Sequence, residues 1–136
     1  MASKVAALPD TLDPDISESA FGKLVEQCAT ENGWLWTHTT PLPTPAGRRK
    51  VRWITPSAPG FPDYLMLHPE CPTQFVLEIK SRTGTVEPEQ RRWLNAFARL
   101  RNCHVATGWP EDWPEIRRYL ETPSSVTQVE ESPPAV

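Results

Sequence analysis

The sequence predicts a mixed α/β fold, a single central mixed sheet flanked by helices. Two observations carry that reading. Apolar residues recur at helical spacing in three stretches, near residues 16–32, 88–101 and 111–120. Short runs rich in Trp, Thr, Val and Ile lie between them and read as strands. The resulting order, α-β-β-β-β-α-β-α, is that of a sheet with helices packed on it. At 136 residues the chain holds one domain with a real core.

Residues 1–15 are polar, acidic and without a periodic apolar face, so they read as a disordered arm before a domain over 16–121. The first helix is expected over 16–32. Asp15 is a suitable N-cap, and Glu18 three residues later completes a capping box. Phe21, Leu24, Val25 and Cys28 face the core, and Gly33 ends the helix. Residues 34–39 are a strand, 41–47 a Pro-rich break, and 50–55 a short strand carrying basic residues. Strands follow over 63–67 and 74–80, with 68–73 turning between them and 81–85 as a loop. The second helix begins at Pro88, a good first-turn residue, and runs to about Arg101 with Trp93, Leu94, Phe97 and Leu100 as its stripe. A strand over 103–107 and a helix over 111–120 complete the domain. Trp93 and Trp109 fit the core. Trp34, Trp36 and Trp53 fit the core, a dimer interface or an unstacked base. The tail over 122–136 is rich in Pro, Ser, Thr and Glu and reads as disordered.

No apolar run approaches the ~18–20 residues needed to span a bilayer. Nothing at the N-terminus reads as a signal peptide, so the expectation is a soluble, intracellular protein with no membrane association. Cys28, Cys71 and Cys103 are odd in number and widely spaced, which argues against a disulfide framework or a zinc ribbon. The net charge of −3 is unevenly spread. Ten basic against five acidic residues between Thr44 and Arg101 leave +5 there and −8 in the rest. A basic face is therefore compatible with an acidic total. Arg48, Arg49, Lys50, Arg52, Arg82, Arg91 and Arg92 are its candidate phosphate contacts.

The candidate site is Gly60-Phe61-Pro62-Asp63 followed by Glu78-Ile79-Lys80. A turn centred between Glu70 and Cys71 pairs Leu67 with Gln74 and sets Asp63 opposite Glu78. Lys80 then shares the Glu78 face, while Leu77 and Ile79 point away. A one-residue slip would move Asp63 to the wrong face. Two opposed carboxylates repel, and a hard divalent cation relieves the repulsion. The backbone carbonyl of Ile79 is a further candidate ligand. Lys80 stands where it can orient or deprotonate a water and offset phosphate charge. The competing reading is a solvated hairpin with alternating charges.

These residues, with Glu18 and Phe21, Gly33-Trp34, His38, Gly84, Gln90 with Trp93-Leu94, and Trp109-Pro110 with Asp112-Trp113, resemble the VRR-NUC domain. This is the virus-type replication-repair nuclease branch of the PD-(D/E)XK superfamily, and the likeness is closest to its stand-alone phage and bacterial members. It runs from Glu18 to Leu120. It implies a restriction-endonuclease-like core and a Mg2+- or Mn2+-dependent deoxyribonuclease in the cytoplasm of a bacterial or phage-infected cell. Asp63 and Glu78 become metal ligands and Lys80 the catalytic lysine. Glu18 supports the metal and its waters, and Gln90 stands near the scissile phosphate. Homodimerisation and action on branched DNA such as four-way (Holliday) junctions are also implied. From the residues alone, Glu18 is equally a helix cap, Gln90 equally a partner for a backbone group, and His38 a packing residue or a phosphate contact. Two other functions compete: a catalytically silent nuclease-like module that binds DNA or recruits a partner, and an interaction module without DNA.

Overall fold

A computed structural model describes residues 7–39, 42–44, 52–54 and 58–123. Helix α1 is Glu18–Glu31. Strands β1 (Leu35–His38), β2 (Leu42–Thr44), β3 (Arg52–Ile54), β4 (Tyr64–His68) and β5 (Cys71–Ile79) follow. Helix α2 (Pro88–Ala98), strand β6 (Cys103–Gly108), a 3-10 turn at Pro110–Asp112 and helix α3 (Trp113–Glu121) complete it. The mixed α/β fold and its element order are as expected, with β2 added. In the main sheet, β1, β4 and β5 are antiparallel neighbours and β6 runs parallel to β5, in the order β1-β4-β5-β6. Parallel neighbours need a crossover, and α2 supplies it. Strand β3 pairs with β2 in a separate ribbon instead of joining the main sheet. The break expected over 41–47 is thus partly strand. Pro43 is tolerated there because a two-stranded ribbon consists only of edges.

Helix α1 starts later than expected, because Asp15 does not cap it. The Asp15 N–H donates to Asp13 Oδ1 at 2.9 Å, inside a turn closed by the Ile16 N–H on the Asp13 carbonyl at 3.0 Å. Ser17 caps instead, accepting from the Ala20 N–H at 3.0 Å. The capping box does not form, and the Glu18 carboxylate is turned to another use. At the far end Gly33 has φ +85, the left-handed conformation expected of a helix-ending glycine.

The core lies between the sheet and the α1–α3 layer. Phe21, Val25 and Cys28 of α1 and Trp113, Ile116 and Leu120 of α3 pack on Tyr64, Met66, Phe75, Leu77 and Ile79. The core tryptophans are Trp34 and Trp113. Trp34 is buried and donates its indole N–H to the Leu120 carbonyl at 3.0 Å. Trp93 and Trp109, expected in the core, are only half-buried. In α2 only Leu94 is fully buried. The helix stops at Ala98, so Leu100 lies past its last turn and is 53% exposed.

The expected disordered arm is corrected from Ala7 onward. Leu8 and Leu12 pack against the core. Trp113 donates its indole N–H to the Pro9 carbonyl at 2.8 Å, and Arg117 donates to the same carbonyl at 2.9 Å. Residues 1–6 and the tail from residue 124 lie outside the described residues. Among the described residues, no helix is long and apolar enough to cross a membrane.

Trp113 is fully buried between α1 and the arm. Trp113→Ala is expected to cost about 3–5 kcal/mol in urea unfolding, as large aromatic truncations do. Leu100→Ala should stay within about 0.5 kcal/mol. Similar costs for both would refute this assignment of the core.

Candidate active site

The β4–β5 register builds the site. Leu67 pairs with Gln74, Met66 with Phe75, Leu65 with Val76 and Tyr64 with Leu77. One step further, Asp63 meets Glu78. The turn itself lies at Pro69–Glu70, where His68 pairs with Cys71, one residue earlier than the expected centre between Glu70 and Cys71. The irregularity between Leu67 and His68 shifts the register by two, so that Leu67 still meets Gln74. The contact is reciprocal: the Asp63 N–H donates to Glu78 Oε1 at 3.2 Å, and the Ile79 N–H donates to Asp63 Oδ2 at 2.9 Å. The Thr39 N–H, just past β1, holds the Asp63 carbonyl at 2.8 Å.

Alternation along β5 then separates two chemistries. Leu77 and Ile79 enter the core, while Glu78 and Lys80 turn to the α2 side. Both charged groups are buried, at 2% and 8% exposure. Lys80 Nζ lies 3.1 Å from Glu78 Oε2 and donates to Gln90 Oε1 at 2.8 Å. Gln90 Nε2 donates to Glu78 Oε2 at 2.7 Å. An ammonium only donates, which orients the Gln90 amide with its oxygen toward Lys80. The same oxygen accepts the Glu87 N–H at 2.8 Å, so Gln90 also closes the α2 capping box. The two readings of Gln90 are therefore compatible. Glu18 does not cap its helix. Its Oε2 accepts the Ser81 N–H at 3.2 Å, which brings it to the end of β5.

Gly60 brings the loop before Asp63 against α2. Its φ is +85, and a Cβ there would lie 2.6 Å from Glu89 Cβ and 2.9 Å from the Gln90 nitrogen. Both the conformation and the space require glycine.

Electrostatics follow from burial. Desolvation, then the charge of Asp63, pushes Glu78 up to about 7 from 4.5, although Lys80 pulls the other way. Asp63 is raised as well, chiefly by desolvation and further by the charge of Glu18, against the Ile79 N–H bond and the charge of His38. Two carboxylates that resist ionisation side by side are suited to a divalent cation, which is often held by one or two carboxylates with waters. Among the described residues, no three His, Cys, Asp or Glu side chains converge as a complete metal cage. The chain therefore offers Asp63 and Glu78, with the Ile79 carbonyl next in sequence and Glu18 behind Ser81.

The basic residues divide. Arg82, Arg91 and Arg92 are exposed and stand within two residues of Lys80 or Gln90 in the chain, Arg82 in a pair with Asp15 at 2.9 Å. Arg48, Arg49 and Lys50 lie outside the described residues, and so does the side chain of Arg52 on β3. His38, read from the sequence as a packing residue or a phosphate contact, has two partners that sequence reasoning missed, Tyr64 and Glu26. Its ring stacks on Tyr64 at 4.5 Å, its Nδ1 is 3.4 Å from Glu26 Oε2, and the Tyr64 phenol donates to the same oxygen at 2.6 Å. The β1–β4 pairing of His38 with Tyr64 is the signal that would have found them.

A carboxyl raised on folding holds its proton in the native state after the unfolded chain has lost it. Between pH 4.5 and about 7 the contribution of Glu78 to stability therefore falls as pH rises. Metal-free protein is expected to lose urea resistance across that window more steeply than Glu78→Gln protein. Parallel profiles would remove Glu78 as the titrating group. No family model, curated protein or solved structure matches the chain.

Proposed function

We propose that the chain is a divalent-metal-dependent DNA endonuclease that hydrolyses phosphodiester bonds, selectively in branched DNA such as four-way junctions. One observation carries the hydrolase reading: Asp63, Glu78, Lys80 and Gln90 are joined by hydrogen bonds on one side of the β5 end. A carboxylate pair with one member buried and the other half-buried is costly to a fold and useful to a metal. The VRR-NUC resemblance supports the same reading and is the basis for the preference for branched DNA and for a homodimer, whose two sites would meet two strands.

Mg2+ or Mn2+ at Asp63 and Glu78 would supply Lewis-acid activation of water and charge stabilisation at phosphate. The chain's own contributions are distinct from that. Lys80 brings a cation to the side of the phosphate and a donor to the water that attacks it. Gln90 holds Lys80 and Glu78 in one geometry, so neither must reorganise when substrate arrives. Glu18 fixes the backbone at Ser81, the residue after Lys80. Arg82, Arg91 and Arg92 supply phosphate contacts.

A second reading has its own support. Both Glu78 oxygens are already hydrogen-bonded, and Lys80 balances its charge. A silent nuclease-like DNA-binding module would keep such a closed network.

The two readings part on a cleavage panel of four-way junction, flap, single-stranded and linear duplex DNA with Mg2+ or Mn2+. We expect junction cutting that EDTA abolishes. Lys80→Ala should slow it by about 100-fold or more, the usual scale for a lost proton-transfer or charge-stabilising group. Glu78→Ala should abolish it. Folded wild-type protein that binds every DNA and cuts none would select the silent module.

A further inference from the structure

Trp93 and Trp109 are half-buried walls of two separate cavities, each one contact away from the carboxylate–lysine cluster. The first, about 350 Å3, lies along the start of α2 between Pro59, Glu89, Arg92 and Trp93. The second, about 390 Å3, lies between Pro14, Arg82, Trp109, Pro110 and Glu111. Both fall in the range of about 300–1,000 Å3 that suits small ligands. Each therefore combines the same four residue types: a tryptophan, an arginine, a glutamate and proline.

We infer that Trp93 with Arg92, and Trp109 with Arg82, are two stacking sites for unpaired nucleobases, so that the cluster acts on a strand whose bases are unstacked beside the cut. The last clause rests on the nuclease reading; the stacking sites do not.

The chemistry of the walls selects a base over other ligands. Each indole N–H is already committed to a loop carbonyl, Trp93 to Pro59 at 3.1 Å and Trp109 to Gly84 at 2.9 Å. Trp93 also packs edge-on against Phe61 at 4.9 Å and stacks on Phe97 at 6.1 Å, so its ring plane is fixed from behind. A ligand in either cavity would meet a π-face, which accepts any base. The neighbouring guanidinium serves the phosphate that accompanies the base. The glutamate repels a bare phosphate yet accepts hydrogen bonds from the amino groups of bases. Among the described residues Arg82 is held by an exposed pair with Asp15, a weak contact that a phosphate can replace.

Each cavity is linked to the cluster through one intervening glycine. Gly84, whose carbonyl holds Trp109, packs on Lys80: a Cβ there would lie 3.2 Å from Lys80 Cβ. Gly60 adjoins Pro59 and packs on Glu89 and the Gln90 nitrogen. A strand with stacked bases in both cavities would run past Lys80 and Gln90. Intact duplex keeps its bases inside the helix and cannot fill them.

The test is anisotropy in EDTA, so that nothing is cut, with a labelled oligodeoxynucleotide and the same strand made abasic. Wild-type protein should bind the base-bearing strand about tenfold or more tighter than the abasic one. Trp93→Ala and Trp109→Ala should each lower that preference several-fold, the double variant should erase it, and abasic binding should stay unchanged. Trp109→Phe, with a ring but no N–H, should retain it. Equal binding of both strands by wild type, or equal loss on both strands in the variants, overturns the inference. Should an alanine variant fail to fold, quenching of wild-type tryptophan fluorescence decides. Quenching by the base-bearing strand alone supports the sites, and equal quenching by both strands overturns them. A protein that cuts no DNA but prefers bases loses the nuclease reading and keeps these sites. One that cuts DNA and binds both strands equally does the reverse.

Discussion

Like charges face each other across the β4–β5 hairpin, and much of the molecule serves to hold them there. Asp63 and Glu78 each accept a backbone N–H from the other's strand, so the main chain partly satisfies what solvent cannot reach. Lys80 and Gln90 complete the satisfaction of Glu78. Gly60 lets the loop approach α2 closely enough for Gln90 to arrive. The opposite face of the same strand carries Leu77 and Ile79 into the core. One register thus sets both the packing and the polar cluster, and a slip of one residue would exchange them.

This coupling explains why the site was legible before the fold in detail. The two-residue period of a strand put Glu78 and Lys80 on one face. The pairing of Leu67 with Gln74 came from a turn placed one residue too late, an error that the irregularity beside His68 offsets. The wider surroundings depended on partners distant in the chain. Nothing near Leu8 says that α3 will cover it. Helical spacing put Trp93 on the apolar stripe of α2 but could not say how far the sheet reaches beneath that stripe. Core packing was the default reading for Trp34 and holds, but its partner, the Leu120 carbonyl 86 positions later, could not be read from the sequence. The Asp15 cap failed for a local reason: Pro14 and Asp13 make a competing turn, and Ser17 was the better-placed acceptor.

The polar and apolar halves of the domain differ in how they resist change. The α1–α3 face is aliphatic and aromatic, with edge-on ring contacts such as Phe21 on Trp113, and tolerates little loss of volume. The α2 face is held by fewer buried residues and by hydrogen bonds to charged groups. Its geometry is consequently responsive to protons, cations and salt in a way that the other face is not. The apolar core and the polar cluster thus lie on opposite sides of one sheet.

The tie between Pro9 and Trp113 spans 104 positions, and that between Trp34 and Leu120 spans 86. Each joins an early segment to the last helix. During synthesis from the N-terminus, α1, the hairpin and α2 emerge with the core side of the sheet covered by α1 alone. The core closes only when α3 leaves the ribosome. Until then Phe75, Tyr64 and Phe21 have incomplete cover, and the nascent chain presents a sticky aromatic surface beside a nearly assembled polar cluster. Completion of the domain is therefore a late, all-at-once event, governed by the slow closure of distant contacts.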